Sequence, residues 1–151
     1  MDKIFIDFLL KAKKSTYASA DGDSKKTLDD GSKEFIFSEG EYVYRDRYFG
    51  SDSFAGEEIV FFNNKAIWAM NYCGCILEKT INEKDVYSFL KQALMDVREE
   101  APFRGPVELV NGDYLYTSNA KGDVNSFVGV ENIYLDKNKI YELNFHGGVV
   151  G

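Results

Sequence analysis

Cysteine, proline, histidine and tryptophan are all scarce in this 151-residue chain, which holds two Cys, two Pro, one His and one Trp. Two cysteines spaced two apart, Cys73 and Cys75, exclude a disulfide framework, so a reduced, cytoplasmic setting is expected. One C-x-C plus the lone His146 lacks the spacing of established zinc motifs. Cys73, Cys75 and His146 therefore stand only as a weak alternative metal set, and no cofactor is expected. The longest uninterrupted apolar run is Ile59–Phe62, far short of the roughly 20 residues that span a bilayer, so no membrane association is expected. Positive charge is also in deficit, with 18 Lys+Arg against 25 Asp+Glu, a net charge of −7. That balance argues against binding nucleic acid, which needs a basic face to displace counterions from phosphates.

The first twenty residues superficially resemble a secretion signal, with Lys3, an apolar stretch to Leu10 and Ala18-Ser19-Ala20. Asp7 interrupts that stretch and Lys11, Lys13 and Lys14 follow it, so the segment reads as a helix instead.

What the chain does hold is aromatic mass, 12 Phe and 10 Tyr among 151 residues. Such stiff side chains suit strands and the walls of cavities. Ile4, Phe5, Phe8, Leu9 and Ala12 form one stripe at helical spacing, predicting a helix over 2–14. Residues 19–33 are polar, with only Ala20 and Leu28 apolar, and predict a long flexible loop. Val86, Phe89, Leu90, Ala93, Leu94 and Val97 predict a second helix ending near Glu100, ahead of Pro102. Thr80 with Glu83 fits a capping box at its start, and Asn82 competes as the cap. Alternating segments at 41–48, 54–62, 66–73, 113–118, 126–135 and 140–146 predict strands, with short edge strands at 35–37 and 107–110. Asn63-Asn64-Lys65 and Asp136–Lys139 have the composition of hairpin turns.

The chain also rhymes with itself. Residues 54–74 align without a gap on 127–147. Phe54/Phe127, Gly56/Gly129, Glu58/Glu131, Ile67/Ile140, Asn71/Asn144 and Gly74/Gly147 are identical, where ordinary amino-acid usage predicts roughly one or two matches. Gly40–Tyr44 matches Gly112–Tyr116 in the same way. The expectation is an α+β fold of two αβββ repeats, approximately 2–75 and 82–148, related by a pseudo-twofold axis within a single domain 1–151. Antiparallel sheet would carry the two packing helices. A unit that small buries too little surface to stand alone, so the halves should pack together.

Period-two parity places Phe54, Gly56, Glu58, Val60 and Phe62 on one face, and Phe127, Gly129, Glu131, Ile133 and Leu135 on its counterpart. A glutamate thus sits on the apolar side of each repeat. If Glu58 and Glu131 line a cavity, they would attract a cationic or hydroxylated ligand, with Trp68 and Tyr72 as walls. If Gly56 and Gly129 mark β-bulges, parity shifts and both glutamates turn to solvent or to a structural arginine. Both prolines flank Phe103-Arg104, so Arg104 is stiffened in place, either to hold a ligand carboxylate or the repeat glutamates, or as part of a rigid connector. His146 is a candidate general base if a carboxylate lies within hydrogen-bond reach in a concave site. Trp68 and Tyr72 could equally be core, and no residue is assigned a catalytic role.

Several segments together resemble a family of small bacterial proteins of unknown function. They are Phe8–Lys14 running into Thr16-Tyr17-Ala18, Gly56-Glu57-Glu58, Arg104-Gly105-Pro106, Gly112–Tyr116 and Phe145-His146-Gly147-Gly148. Some relatives carry this domain C-terminal to a Cro/C1-type helix-turn-helix, which implies a regulatory or sensory module. The resemblance brings no activity, substrate or catalytic residue. Only one helix precedes the first strands, so the DNA-binding part is expected to be absent here.

The leading expectation is therefore non-enzymatic binding or sensing of a small molecule in a pocket between the repeats, with a homodimer possible. One alternative is an acidic protein-interaction module, of inhibitor or immunity type, whose charge steers a basic partner. Another is an enzyme that uses His146 with a carboxylate.

Overall fold

A computed structural model describes residues 1–19 and 25–151. Helix α1 (Lys3–Ser15) starts at Asp2, whose side chain accepts from the Phe5 amide, and ends on Lys13 and Lys14, where the helix dipole favours cations. Its stripe of Phe5, Phe8, Leu9 and Ala12 is buried. Strands β1 (Lys26–Thr27), β2 (Lys33–Glu39), β3 (Tyr42–Gly50), β4 (Ser53–Phe62) and β5 (Lys65–Ile76) follow, then α2 (Glu83–Met95). The chain closes with β6 (Glu108–Asn111), β7 (Tyr114–Asp123), β8 (Ser126–Leu135) and β9 (Asn138–Val149).

The nine strands among the described residues form one antiparallel sheet in the order β1-β2-β3-β4-β5-β9-β8-β7-β6, so the class is α+β. Two meanders, β2–β5 and β6–β9, meet along the β5–β9 seam, where Tyr72 pairs with Phe145. Each half thus has four meander strands rather than three, because the segments predicted at 35–37 and 107–110 both pair into the sheet, the first lengthened to seven residues and the second still four. Both helices lie on one face. Phe8 of α1 packs on Phe37 and Tyr42, while Phe89 of α2 packs on Tyr114 and Tyr87 on Phe54. The core fills the space between, and the opposite face of the sheet is open.

The two-residue turns at Asn63-Asn64 and Asp136-Lys137 have positive φ at both positions, the geometry that matches the twist of a hairpin. Each is followed by a register shift, at Val60/Phe61 and at Ile133/Tyr134. The extra residues are Ile67 and Ile140, 73 positions apart. Bulges at Gly56 and Gly129 are therefore not found, and the inward parity of Glu58 and Glu131 survives. The bulge also turns Ile140 into the core, 3% exposed.

Several boundaries differ from expectation, among them β7 and β9, which run on to Asp123 and Val149. Asn82, not the Thr80–Glu83 box, caps α2 through the Lys84 amide, because the Thr80 hydroxyl is committed to Glu78. Helix α2 stops at Met95 instead of near Glu100. Its last turn tightens at Asp96 and Val97, and the chain reverses through an Arg98–Ala101 bridge so that Phe103 and Arg104 can enter the core. The predicted loop 19–33 is partly structured, since Lys26-Thr27 pairs with β2, and Asp30 ties Ser32 to Arg47. The remainder of that prediction, residues 20–24, lies outside the described residues. Among the described residues no helix is long and apolar enough to cross a membrane.

Candidate functional site

Two neighbouring features dominate the space between helices and sheet: a closed cluster of buried charges and an open cleft that reaches it. The cluster begins with the inward parity of β4 and β8, which buries Glu58 and Glu131 to 3% and 0% exposure. Burying a carboxylate is affordable only with partners. Glu131 has four. Arg104 donates to it twice, from Nε and from one terminal nitrogen, both at 2.9 Å, and the hydroxyls of Tyr116 and Tyr141 donate at 2.6 and 2.9 Å. Glu58 pairs with Lys13 from the last turn of α1, and a second Arg104 nitrogen lies 3.9 Å away. Arg104 thus links both repeat glutamates.

The connector between α2 and β6 is held residue by residue. Lys13 donates to the Phe103 carbonyl at 2.8 Å, and the Gly105 amide donates to the Tyr116 hydroxyl at 2.9 Å. The Phe103 ring stacks on Phe127 with centroids 4.0 Å apart. A Cβ on Gly105 would lie 2.8 Å from the Tyr116 ring, so glycine is what lets the connector press this close. Burial pulls the Lys13 ammonium below its ordinary value in spite of Glu58. Burial is the largest single influence on Arg104 and acts against its charge, but the charge and hydrogen bonds of Glu131 with Tyr141 and Tyr116 together hold it well above its usual value.

Asp46 connects the cluster to the cleft. It alternates with Tyr44 and Tyr48 on the inner face of β3, opposite Glu58, and is 4% exposed. Its one described hydrogen bond comes from the Tyr72 hydroxyl at 2.6 Å. The Tyr72 ring crosses Gly56 to reach it, where any Cβ would lie 2.6 Å from the ring and from the Arg47 carbonyl oxygen. Burial, and next the neighbouring Glu58 charge, push the Asp46 carboxyl up to about 7, although the Tyr72 hydrogen bond works the other way. Burial raises the phenols of Tyr44, Tyr72, Tyr116 and Tyr141 well above their ordinary value, so all four remain proton donors near neutrality.

The cleft itself has a volume of about 520 Å³ and lies between α2 and strands β3–β5. Asp46, Tyr72, Leu90 and Arg104 form its floor, and Tyr17, Tyr48, Phe54 and Tyr87 form its walls. Among the described residues its rim carries Lys25, Lys33, Lys84 and Lys91 against the one carboxylate of Glu83. Glu58 lines only a neighbouring void of about 20 Å³, too small for a ligand, and Glu131 lines neither space.

The residues singled out from the sequence therefore divide. Tyr72 and Arg104 face the cleft. Glu58 and Glu131 both lie beside Arg104, inside the protein and not on a shared chamber. Trp68 is core, not wall: it is fully buried, stacks on Phe127 at 5.7 Å and donates its indole N–H to the Val124 carbonyl at 2.9 Å. His146 is exposed on the open face, where it pairs across the ladder with Asn71, and the sheet separates it from the buried carboxylates. It lines neither the cleft nor the neighbouring void. Cys73 is exposed on the same face, and among the described residues no group of three or more His, Cys, Asp or Glu is placed to hold a metal ion.

Sequence reasoning passed over Asp46, Lys13 and the rim lysines. A signal for Asp46 existed: one carboxylate in a period-two run of tyrosines, at the position that Ser118 occupies in the second meander.

No curated protein and no solved structure matches the chain. A family described as a domain of unknown function, DUF5680, matches residues 46–150, a span that opens on Asp46 and ends after β9. The chain belongs to that family.

Proposed function

We propose that this protein binds a small molecule, without turning it over, in the cleft between α2 and strands β3–β5. The observation that carries the reading is a buried carboxyl group at the floor of a cleft of about 520 Å³, reached through aromatic walls. Ligand sites are concave, mostly apolar and fitted with a few polar groups that fix orientation, and a cleft of this size suits a small metabolite. Asp46 supplies the orienting group, and Tyr72 and Arg104 hold its surroundings fixed. We also read the two meanders as copies of one ancestral unit, supported by turns and bulges that recur 73 residues apart. On that reading the first copy kept the polar Asp46–Tyr72 pair, while Ser118 and Phe145 stand in its place in the second.

The test is ligand-observed NMR with a library of common metabolites against the protein and its Ser88→Trp variant. Ser88 is exposed on α2 and lines the cleft, so an indole there fills the space without touching the core. Compounds that bind the parent and are lost in a folded Ser88→Trp variant are the expected result. A library with no hits, or hits that survive the substitution, overturns the reading.

A further inference from the structure

The rim and the floor of this cleft ask for different chemistry, and together they narrow the ligand. The protein as a whole carries −7, yet among the described residues the rim holds four lysines and one glutamate. None of those lysines forms an ion pair with a carboxylate among the described residues. Two of them are instead poised over aromatic walls: the Lys33 ammonium lies 5.6 Å from the Tyr48 ring centre and that of Lys91 5.4 Å from the Tyr17 ring centre. Such contacts keep a cation at the mouth of the cleft without neutralising it. A local reversal of sign over a low-dielectric cleft focuses the field and draws in anions. Several ammonium groups around one cleft match a doubly charged anion better than a single carboxylate, and lysine serves phosphate as a point charge.

The floor makes the opposite demand. Asp46 already accepts one hydrogen bond from Tyr72 and has capacity for another donor. Between rim and floor, Phe54 and Tyr87 present apolar ring surface, with their centroids 6.3 Å apart. On the basis of the binding reading above, we propose that the cleft takes a phosphorylated metabolite with a flat ring. Lys33, Lys84 and Lys91 would hold its phosphate, the Phe54 and Tyr87 rings, in edge-to-face contact with each other, would form one apolar wall beside the flat portion, and Asp46 would accept from an amino or hydroxyl group on it.

Adenosine 5′-monophosphate has these three features and serves as the probe, with adenosine, ribose 5-phosphate and inorganic phosphate as its parts. Isothermal titration at low salt should show the nucleotide binding at least about tenfold more tightly than any of the three. Lys84→Ala/Lys91→Ala, at exposed and half-exposed positions, should weaken the nucleotide by about tenfold or more and flatten its salt dependence. Asp46→Asn should weaken the nucleotide and leave ribose 5-phosphate unchanged. The proposal is overturned if the nucleotide binds no better than inorganic phosphate, or if the lysine pair can be removed without effect. If the metabolite library gives cleft ligands that are uncharged, this ligand class fails while the binding reading stands. If nothing is displaced by Ser88→Trp, both fail.

Discussion

Arg104 grips Glu131 through two parallel hydrogen bonds of 2.9 Å, and the same guanidinium leans toward Glu58 at 3.9 Å. One side chain from the connector after α2 therefore ties β8 to β4 across the β5–β9 seam. Removing one partner of a buried pair leaves the other charge uncompensated, which typically costs about 3–5 kcal/mol. Arg104→Met should lower stability by that amount in urea denaturation. The double variant Arg104→Met/Glu131→Gln should lose much less than the sum of its single changes, because no charge is then stranded. An additive result would mean that the pair is not coupled in the folded protein.

Gly56 and Tyr72 form a second relationship that sets the cleft floor. Gly56→Ala places a methyl group against the Tyr72 ring and the Arg47 carbonyl, forcing the phenol off Asp46. The expected loss is about 1–3 kcal/mol, as for other overpacked sites. Part of it should vanish when Tyr72→Ala is already present, since only the backbone contact then remains. A double-mutant cycle measured by thermal denaturation reads that coupling, and zero coupling would show that the ring does not depend on the glycine.

The sequence showed most of the architecture because its signals are local. Periodicity located α1, α2 and the strands, and self-alignment located the paired glutamates. The bulges at Ile67 and Ile140 were invisible because they depend on how a two-residue turn meets the sheet twist, which no single residue encodes. The early end of α2 likewise reflects the burial of Phe103 and Arg104, a tertiary demand that overrides a helical pattern reaching Val97. The cleft was the least legible feature. Its rim gathers Lys25, Lys33, Lys84 and Lys91 from distant parts of the chain, and their local cationic excess is hidden inside a net charge of −7.

The open face of the sheet makes a contrasting prediction. His146 and Cys73 are exposed there, on the far side from the cleft. His146→Ala and Cys73→Ser should each change stability by no more than about 0.5 kcal/mol, as surface substitutions do. Titration of any cleft ligand should be unchanged in both variants. A large effect from either would move the functional site to the opposite face.

Asp46 should write itself into the pH dependence of stability. Its folded carboxyl titrates at about 7, raised from 3.8 by burial and by Glu58, with Lys13, Arg104 and the Tyr72 hydroxyl acting in the other direction. Between those two values the folded state holds a proton that the unfolded state has released. Stability contributed by this group is thus present below about 4, falls as pH rises toward 7, and is flat above it. The total loss is on the order of a few kcal/mol. Asp46→Asn keeps an acceptor for Tyr72 but cannot ionise, so it should become more stable than the parent by a margin that grows from pH 4 to 7. Tyr72→Phe removes a hydrogen bond that favours the carboxylate and should move the midpoint of the parent's decline upward. Urea denaturation of the three proteins at half-unit pH steps measures both effects. Parallel curves for the parent and Asp46→Asn would mean that Asp46 is ionised throughout, and that the floor of the cleft carries a fixed negative charge instead of a proton.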